Sequence, residues 1–177
     1  MATGIGFALG DEGVAEQNDA EGATPPKDSK LTAYAKDWDE TWETLAAEGF
    51  QVNLFAQNPM IFNPINMNWD RHGRAWVSTS STYPHIKPGR IPNDRIVILE
   101  DTNRDGHVDK TTVFADGLNM PTGFALGDGG AYVGQGPTLL HLPDNDGDDR
   151  ADVKIRMLQG VSSADIHHTA NAMLIGP

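Results

Sequence analysis

The chain has 177 residues, and no apolar run in it approaches the roughly 20 residues that a membrane-spanning helix requires. Its formal net charge of −12 disfavours nucleic acid as a partner, and the absence of cysteine excludes disulfides, thiolate catalysis and Cys-ligated zinc or haem within these residues. Length and composition therefore indicate a globular, acidic protein and leave its compartment open.

Residues 1–29 are predicted to be a disordered acidic leader. They hold six Asp or Glu residues against one Lys, and residues 11–29 combine few apolar side chains with several Gly and Pro breakers. The amino terminus lacks the basic start and continuous apolar core of a secretory signal. We expect the folded domain to comprise residues 30–177.

A short helix is predicted at the beginning of that domain. Within residues 37–49, Trp38, Trp42 and Leu45 recur at helical spacing, acidic residues come early, and Gly49 provides a stop. We expect the Trp face of this helix to pack on the strands that follow. Residues 50–56 alternate like a half-buried strand.

A repeat dominates the rest of the chain. Residues 95–118 align without gaps to residues 138–161, so that Asp101 and Asp144 stand 43 positions apart. Each copy contains an apolar run of strand length, an Asp-rich turn and a second β-rich run, which together predict a hairpin.

Hairpins of a second type are predicted between these copies. Residues 120–133 form one, with a Gly-rich turn at residues 127–130; residues 63–77 form an earlier copy, and a third copy begins at Ala170. A period of roughly 40 to 50 residues with short strands predicts four-stranded propeller blades. We therefore expect an all-β fold, a partial β-propeller of about two to two and a half blades, cut from a larger ring.

The first Asp-rich loop (residues 101–109) and the second Asp-rich loop (residues 144–152) are candidate calcium sites. Oxygen ligands at positions 1, 3, 5 and 9 can converge on one cation as such a loop curls. The candidate ligands are Asp101, Asn103, Asp105 and Asp109 in the first loop and Asp144, Asp146, Asp148 and Asp152 in the second.

An Asx-type turn that joins two strands is an equally good interpretation of these loops. Position 12 is Thr112 or Ile155 where an EF-hand has a bidentate Glu, and Asp149 replaces the glycine of the second loop. Gly106 permits the sharp turn that calcium loops use, so the first loop is predicted to be the better site. Any calcium there would be structural.

A second candidate site is the sequence Asp165-Ile166-His167-His168. Histidine titrates near neutrality, and a carboxylate such as Asp165 can fix its tautomer and raise its basicity. Adjacent side chains of a strand point to opposite faces, so at most one His can face a central channel. A hydrogen-bonded structural His is the alternative interpretation.

The run from His168 to Pro177 resembles a segment of the soluble quinoprotein glucose and sorbosone dehydrogenases, in which a His and a short polar spacer lead into an apolar strand that ends in Gly-Pro. A wider pattern over residues 48–177 is similar to bacterial proteins known as membrane-bound dehydrogenase domains, which are abundant in planctomycetes. The pattern includes Gly73-Arg74-Ala75-Trp76-Val77, Phe114-Ala115-Asp116-Gly117-Leu118 and Asp165-Ile166-His167-His168-Thr169.

This resemblance implies a six-bladed propeller in the full-length parent, with pyrroloquinoline quinone (PQQ) as cofactor and a sugar or other alcohol as substrate. It makes His168 the general base, with Asp165 as the residue that orients it. It also implies a periplasmic or extracellular location and a downstream cytochrome c domain as electron acceptor. Arg74, Tyr83 and His85 become candidates for the channel mouth.

Asn171 departs from the family pattern, which has Gly there, and we expect the chain by itself to be inactive. The alternative function is a non-redox propeller, stabilised by calcium, that binds carbohydrate or protein. A lactone-hydrolysing propeller is a weaker alternative, because it needs a central metal whose ligands we cannot assemble from these residues.

Overall fold

The computed structural model describes residues 2–6, 49–165, 169–174 and 176. Within these residues the fold is all-β, as predicted, and contains no helix. No helix among them has the length and apolar character needed to cross a membrane. Apart from Gly49, the helix predicted for residues 37–49 lies outside the described residues, as does the pair His167 and His168.

Ten strands make up the described part of the chain. Their bounds are β1 Ala2–Gly6, β2 Phe50–Leu54, β3 Pro64–Trp69, β4 Ala75–Thr79, β5 Asp94–Glu100, β6 Lys110–Leu118, β7 Pro121–Gly127, β8 Gly130–Gln135, β9 Thr138–Pro143 and β10 Ile155–Gln159.

Eight of these strands form two antiparallel sheets in which neighbours in sequence are neighbours in space. The first sheet has the order β3-β4-β5-β6, and the second sheet has the order β7-β8-β9-β10. Each Asp-rich loop joins the two strands of a hairpin, as the repeat predicted, and these are the third and fourth strands of its sheet. A separate pair consists of β1, from the predicted leader, running parallel to β2.

The two sheets pack face to face through an apolar core. Strand β7 contacts β3, β4 and β5, so the first strand of the second sheet lies across the first sheet. Because side chains alternate along a strand, β4 and β5 send one set of residues into this core and the other set to the opposite face. The core contains Trp76, Ile96, Ile98, Phe114, Ala115 and Leu118 from the first sheet and Phe124, Ala131, Val133, Leu140 and Leu142 from the second.

The opposite face of the first sheet is covered by residues that follow β2. Ala56 and Ile61 pack there together with Val108 from the first Asp-rich loop. All five residues of β4 are buried because both of its faces are covered.

A buried carboxylate fixes the long connection between β4 and β5. Asp94 is 2 % exposed and accepts hydrogen bonds from the Ser80 hydroxyl (2.7 Å), the Thr82 hydroxyl and the Ser81 N–H (2.7 Å). It also accepts the Met120 N–H at 2.8 Å, just before β7. Asp94 therefore ties the base of this connection to the start of the second sheet.

Candidate functional site

The two Asp-rich loops have the same local geometry, beginning at their first aspartate. In the first loop, Asp101 accepts the backbone N–H groups of Arg104 (2.6 Å) and Gly106 (2.9 Å). In the second, Asp144 accepts those of Gly147 (2.7 Å) and Asp149 (3.0 Å). Asx turns, which reach two residues along the chain, occur further along each loop: the His107 N–H donates to Asp105 (2.9 Å) and the Arg150 N–H donates to Asp148 (2.9 Å). The Asx-turn interpretation therefore describes part of the backbone of each loop.

Positive φ angles recur at matching positions of the two loops. The fourth and sixth residues have φ of 64° and 90° in the first loop (Arg104 and Gly106) and of 78° and 67° in the second (Gly147 and Asp149). This left-handed conformation turns the backbone N–H groups inward toward the first aspartate.

Carboxylates gather in the second Asp-rich loop. Oxygen atoms of Asp144, Asp146 and Asp152 lie within 4.8 Å of one another. The hydrogen bond from the Asp148 N–H lowers the pKa of Asp146, but repulsion from the carboxylates of Asp148, Asp152 and Asp144, together with burial, outweighs it and raises that pKa. A cation placed between these oxygens would relieve the repulsion.

The first Asp-rich loop differs from the second at its third position, where the Asn103 amide donates to Asp105 at 3.1 Å and the second loop has the Asp146 carboxylate. Position 2 donates to position 9 in both loops: the Asn145 amide donates to Asp152 at 3.1 Å, and the Thr102 hydroxyl donates to Asp109 at 2.7 Å. This hydroxyl is the main cause that lowers the pKa of Asp109. The short distances between carboxylate oxygens thus favour the second loop as the cation site. The sequence had favoured the first loop, because Gly106 permits the sharp turn that calcium loops use.

Each Asp-rich loop also donates a backbone hydrogen bond to a segment that precedes its sheet in the chain. The Val108 N–H of the first loop donates to the Phe55 carbonyl at 3.0 Å, and the Ala151 N–H of the second donates to the Phe114 carbonyl at 2.8 Å. Val108 and Ala151 are equivalent in the repeat, so both loops use the same backbone contact.

An ion-pair network joins the second Asp-rich loop to the first sheet. The Arg74 guanidinium, at the end of the β3–β4 turn, donates two hydrogen bonds to Asp149 (2.7 and 2.9 Å) and one to Asp70 (2.7 Å). Trp76 Nε1 donates to the same Asp70 carboxylate at 3.1 Å. A bidentate contact of this kind fixes orientation as well as adding energy.

The network shifts the pKa of all three of its charged members. Partial burial would raise the pKa of Asp70, but hydrogen bonds from Arg74, Trp76 and the His72 N–H outweigh it and lower that pKa to about 2. Hydrogen bonding to Asp149 raises the pKa of Arg74, and the same contact lowers the pKa of Asp149. All three groups are charged near neutral pH.

This network explains why Asp149 stands where the first loop has Gly106. Gly106 has a φ of 90°, which glycine adopts without strain, and a Cβ there would meet the side-chain amide of Asn53. Asp149 adopts the same left-handed backbone, and its carboxylate reaches Arg74 of the first sheet. Local spacing carries no signal of this contact, because its partners are 75 residues apart.

The segment after the candidate base is fixed against the second sheet. Thr169 is 8 % exposed, and its hydroxyl lies 2.6 Å from the Thr122 hydroxyl of β7. A Cβ added to Gly123 would lie 2.6 Å from the Asn171 backbone, which shows how closely the two segments approach. Asp165 lies at the surface, and His168, the immediate neighbour of Thr169, is outside the described residues.

The other residues predicted for the channel mouth lie on two different connections. Arg74 is held between the two sheets by its carboxylate partners. Tyr83 is half-buried, with its N–H donating to the Ser80 hydroxyl at 2.9 Å, and His85 is exposed on the same connection.

A shallow crevice of about 190 Å³ lies beside the first Asp-rich loop, lined by residues 54–57, Met60, His107 and Val108. The His107 imidazole in this crevice already has a hydrogen-bond partner, because its Nδ1 lies 2.9 Å from the Leu54 carbonyl oxygen. The lining is mostly apolar and offers no cluster of acids or bases.

Comparison with known families identifies a family for the chain, but the description of that family names no reaction. Residues 40–177 match DUF7133, a family described as a domain of unknown function. The chain belongs to the DUF7133 family. Its DUF7133 region includes both sheets, both Asp-rich loops and the segment from Asp165 to Thr169. No curated protein and no solved structure matches the chain.

Proposed function

We propose that the two sheets are neighbouring blades of a β-propeller that belongs to a quinone-dependent dehydrogenase of sugars or other alcohols. Three features support the propeller: each sheet is a four-stranded antiparallel meander, the sheets stack face to face, and β7 lies across β3. In such a stack the first strands of the blades line a central channel, which places β3 and β7 nearest the axis.

The dehydrogenase assignment rests on the resemblance and on one observation, the contact between Thr169 and Thr122. This contact holds the residue after His168 at the start of β7, on the strand that faces β3. Asp94 ties the base of the connection that carries Tyr83 to the same end of β7 through Met120. A substrate hydroxyl at this end of the channel would lie near the residue that precedes Thr169, and His168 would take its proton as the general base.

The described residues do not by themselves form a site for PQQ. Residues 169–171 contact hydroxyl groups and backbone atoms of the second sheet, and none of these carries the positive charge that a polycarboxylate cofactor requires. The cofactor would accept the hydride when bound.

The test is dye-linked turnover of the full natural polypeptide with PQQ and calcium, over a panel of sugars and alcohols. His168→Ala is expected to reduce turnover by about 100-fold or more, the usual contribution of a general base. His167→Ala is the matched control and should retain turnover, with circular dichroism confirming that both variants fold. Unchanged turnover in His168→Ala, or equal loss in both variants, would refute the assignment of the base.

A calcium-stabilised propeller that binds carbohydrate or protein is the second candidate function. The observation that favours it is the convergence of Asp144, Asp146 and Asp152 in the second Asp-rich loop. Calcium prefers such carboxylate oxygens, and an ion there would stiffen a loop that already attaches one sheet to the other through Ala151. The ion would then stabilise the stack and take no part in chemistry.

Calcium titration by calorimetry tests this second function. At free calcium 100-fold above the dissociation constant, binding stabilises the fold by about 2.7 kcal/mol, which corresponds to a rise in Tm of roughly 5–10 °C for a chain of this size. Asp146→Asn should abolish both the heat of binding and the rise in Tm. Asp105→Asn, a carboxylate-to-amide change in the first loop, should leave both in place; the reverse order of effects would move the site to the first loop.

A further inference from the structure

Three large side chains mark the face of the first sheet against which the second sheet packs. Trp76 of β4 and Ile98 of β5 are directly opposite each other, and the Phe114 ring of β6 lies 4.5 Å from the Trp76 ring. All three side chains are buried by the second sheet, with exposures of 6 %, 1 % and 2 %.

The second sheet carries the matching set on its own outer face. His141 and Met157 occupy the repeat positions of Ile98 and Phe114, and Tyr132 of β8 is directly opposite His141 as Trp76 is opposite Ile98. The rings of Tyr132 and His141 stack with their centroids 4.5 Å apart. Met157, unlike Phe114, is 48 % exposed.

A β-bulge recurs at the same position of both sheets. In the first sheet the pairing of β5 with β6 skips Phe114, whose carbonyl then accepts the Ala151 N–H of the next sheet. In the second sheet the pairing of β9 with β10 skips Met157 in the same way. Bulges re-aim backbone groups away from the ladder, so Met157 is placed to receive an N–H from outside.

The chain itself begins to cover this outer face. The backbone of residues 170 and 171 lies so close to Gly134 and Gly123 that a Cβ on either glycine would be 2.4–2.6 Å from it. This segment therefore crosses β7 and β8 of the second sheet, as β7 crosses β3 and β4 of the first. His141 Nε2 is shielded from solvent and has no hydrogen-bond partner in the described part of the chain.

We propose that the outer face of the second sheet, marked by Tyr132, His141 and Met157, is the docking surface for a third four-stranded sheet of the same repeat, which residues 169–176 begin. The occupant presents small and aliphatic side chains, as Ala131, Val133, Leu140 and Leu142 do to the first sheet. Its Asp-rich loop, or the equivalent turn, donates a backbone N–H to the Met157 carbonyl. This inference extends the proposed blade arrangement but depends on neither turnover nor calcium.

Thiol labelling tests the proposal when it is read by mass spectrometry of the peptide that carries the introduced thiol, because residues 1–177 have no cysteine of their own. Met157→Cys and, as a second reporter, Leu158→Cys are introduced into the full natural polypeptide and reacted with a maleimide. Leu158 is 59 % exposed, whereas its repeat equivalent Ala115 is 6 % exposed under the second sheet. Both thiols should therefore be protected by a docked third sheet.

Val153→Cys is the matched control. Val153 is 45 % exposed, close to Met157, but its repeat equivalent Lys110 remains exposed in the assembled pair of sheets. We expect both reporters to react at least about 10-fold more slowly than the control in the folded protein and equally fast in denaturant. Equal rates in the folded protein would overturn the proposal, and protection that disappears on dilution would overturn it in favour of a second copy of the chain.

Discussion

At the scale of single residues, Asp149 has two roles, one in the backbone conformation of its loop and one in an ion pair. Gly106, at the equivalent position of the first loop, has only the first role. Asp149 adopts the left-handed backbone that Gly106 provides in the first loop, and it also supplies the carboxylate that pairs with Arg74. A non-glycine residue at such a φ is uncommon, and Asp tolerates it better than most. The contact with Arg74 gives a physical reason for keeping Asp there.

Replacing this residue separates the two roles. Asp149→Gly keeps the backbone geometry and removes the ion pair between the sheets, so we expect the free energy of unfolding to fall by about 1 kcal/mol and Tm by roughly 2–4 °C. Asp148→Asn, in the same loop, should change Tm by less than half as much. Thermal unfolding followed by circular dichroism measures both, and equal effects would show that the ion pair adds nothing.

The Asp70 carboxylate gives this network a defined pH dependence. Its pKa falls from 3.8 to about 2 on folding, so its stabilising effect is fully present above pH 3.8 and is lost as the pH falls through 2. At about 1.4 kcal/mol per pKa unit, the loss is about 2 kcal/mol. Unfolding measured from pH 7 to pH 2 should show a steeper decline below pH 4 in the native protein than in Asp70→Asn.

At the scale of elements, the sequence predicted the strands well where the apolar pattern and the turn residues agree. The apolar run at residues 95–99 lies inside β5, and the Gly-rich turn at residues 127–130 joins β7 to β8. Contacts between elements were not predictable in this way. Neither the Arg74–Asp149 pair nor the parallel pairing of β1 with β2 follows from local spacing, because each depends on how distant segments meet.

The buried Asp94 is another contact of this kind, and it supports two elements at once. Asp94→Ala would leave the N–H groups of Ser81 and Met120 and the nearby hydroxyls without their acceptor, at a cost of about 1–3 kcal/mol for each buried group left unpaired. We expect a fall in Tm together with faster amide exchange in residues 80–93 and at the start of β7. Asp116→Asn, an exposed change on β6, is the control, and exchange confined to residues 80–93 would argue against the link to β7.

At the scale of the whole molecule, the shared core predicts that the two sheets unfold together. Leu142 of β9 is fully buried in a cluster that also contains Ile96 and Ile98 of β5. Leu142→Ala should cost about 2–5 kcal/mol through lost burial and the remaining cavity. If the stack is one cooperative unit, amide exchange in β4 and β5 should accelerate as much as in β8 and β9. Acceleration restricted to the second sheet would instead show that each sheet is stable alone, and the face-to-face packing would then be a docking contact between independent units.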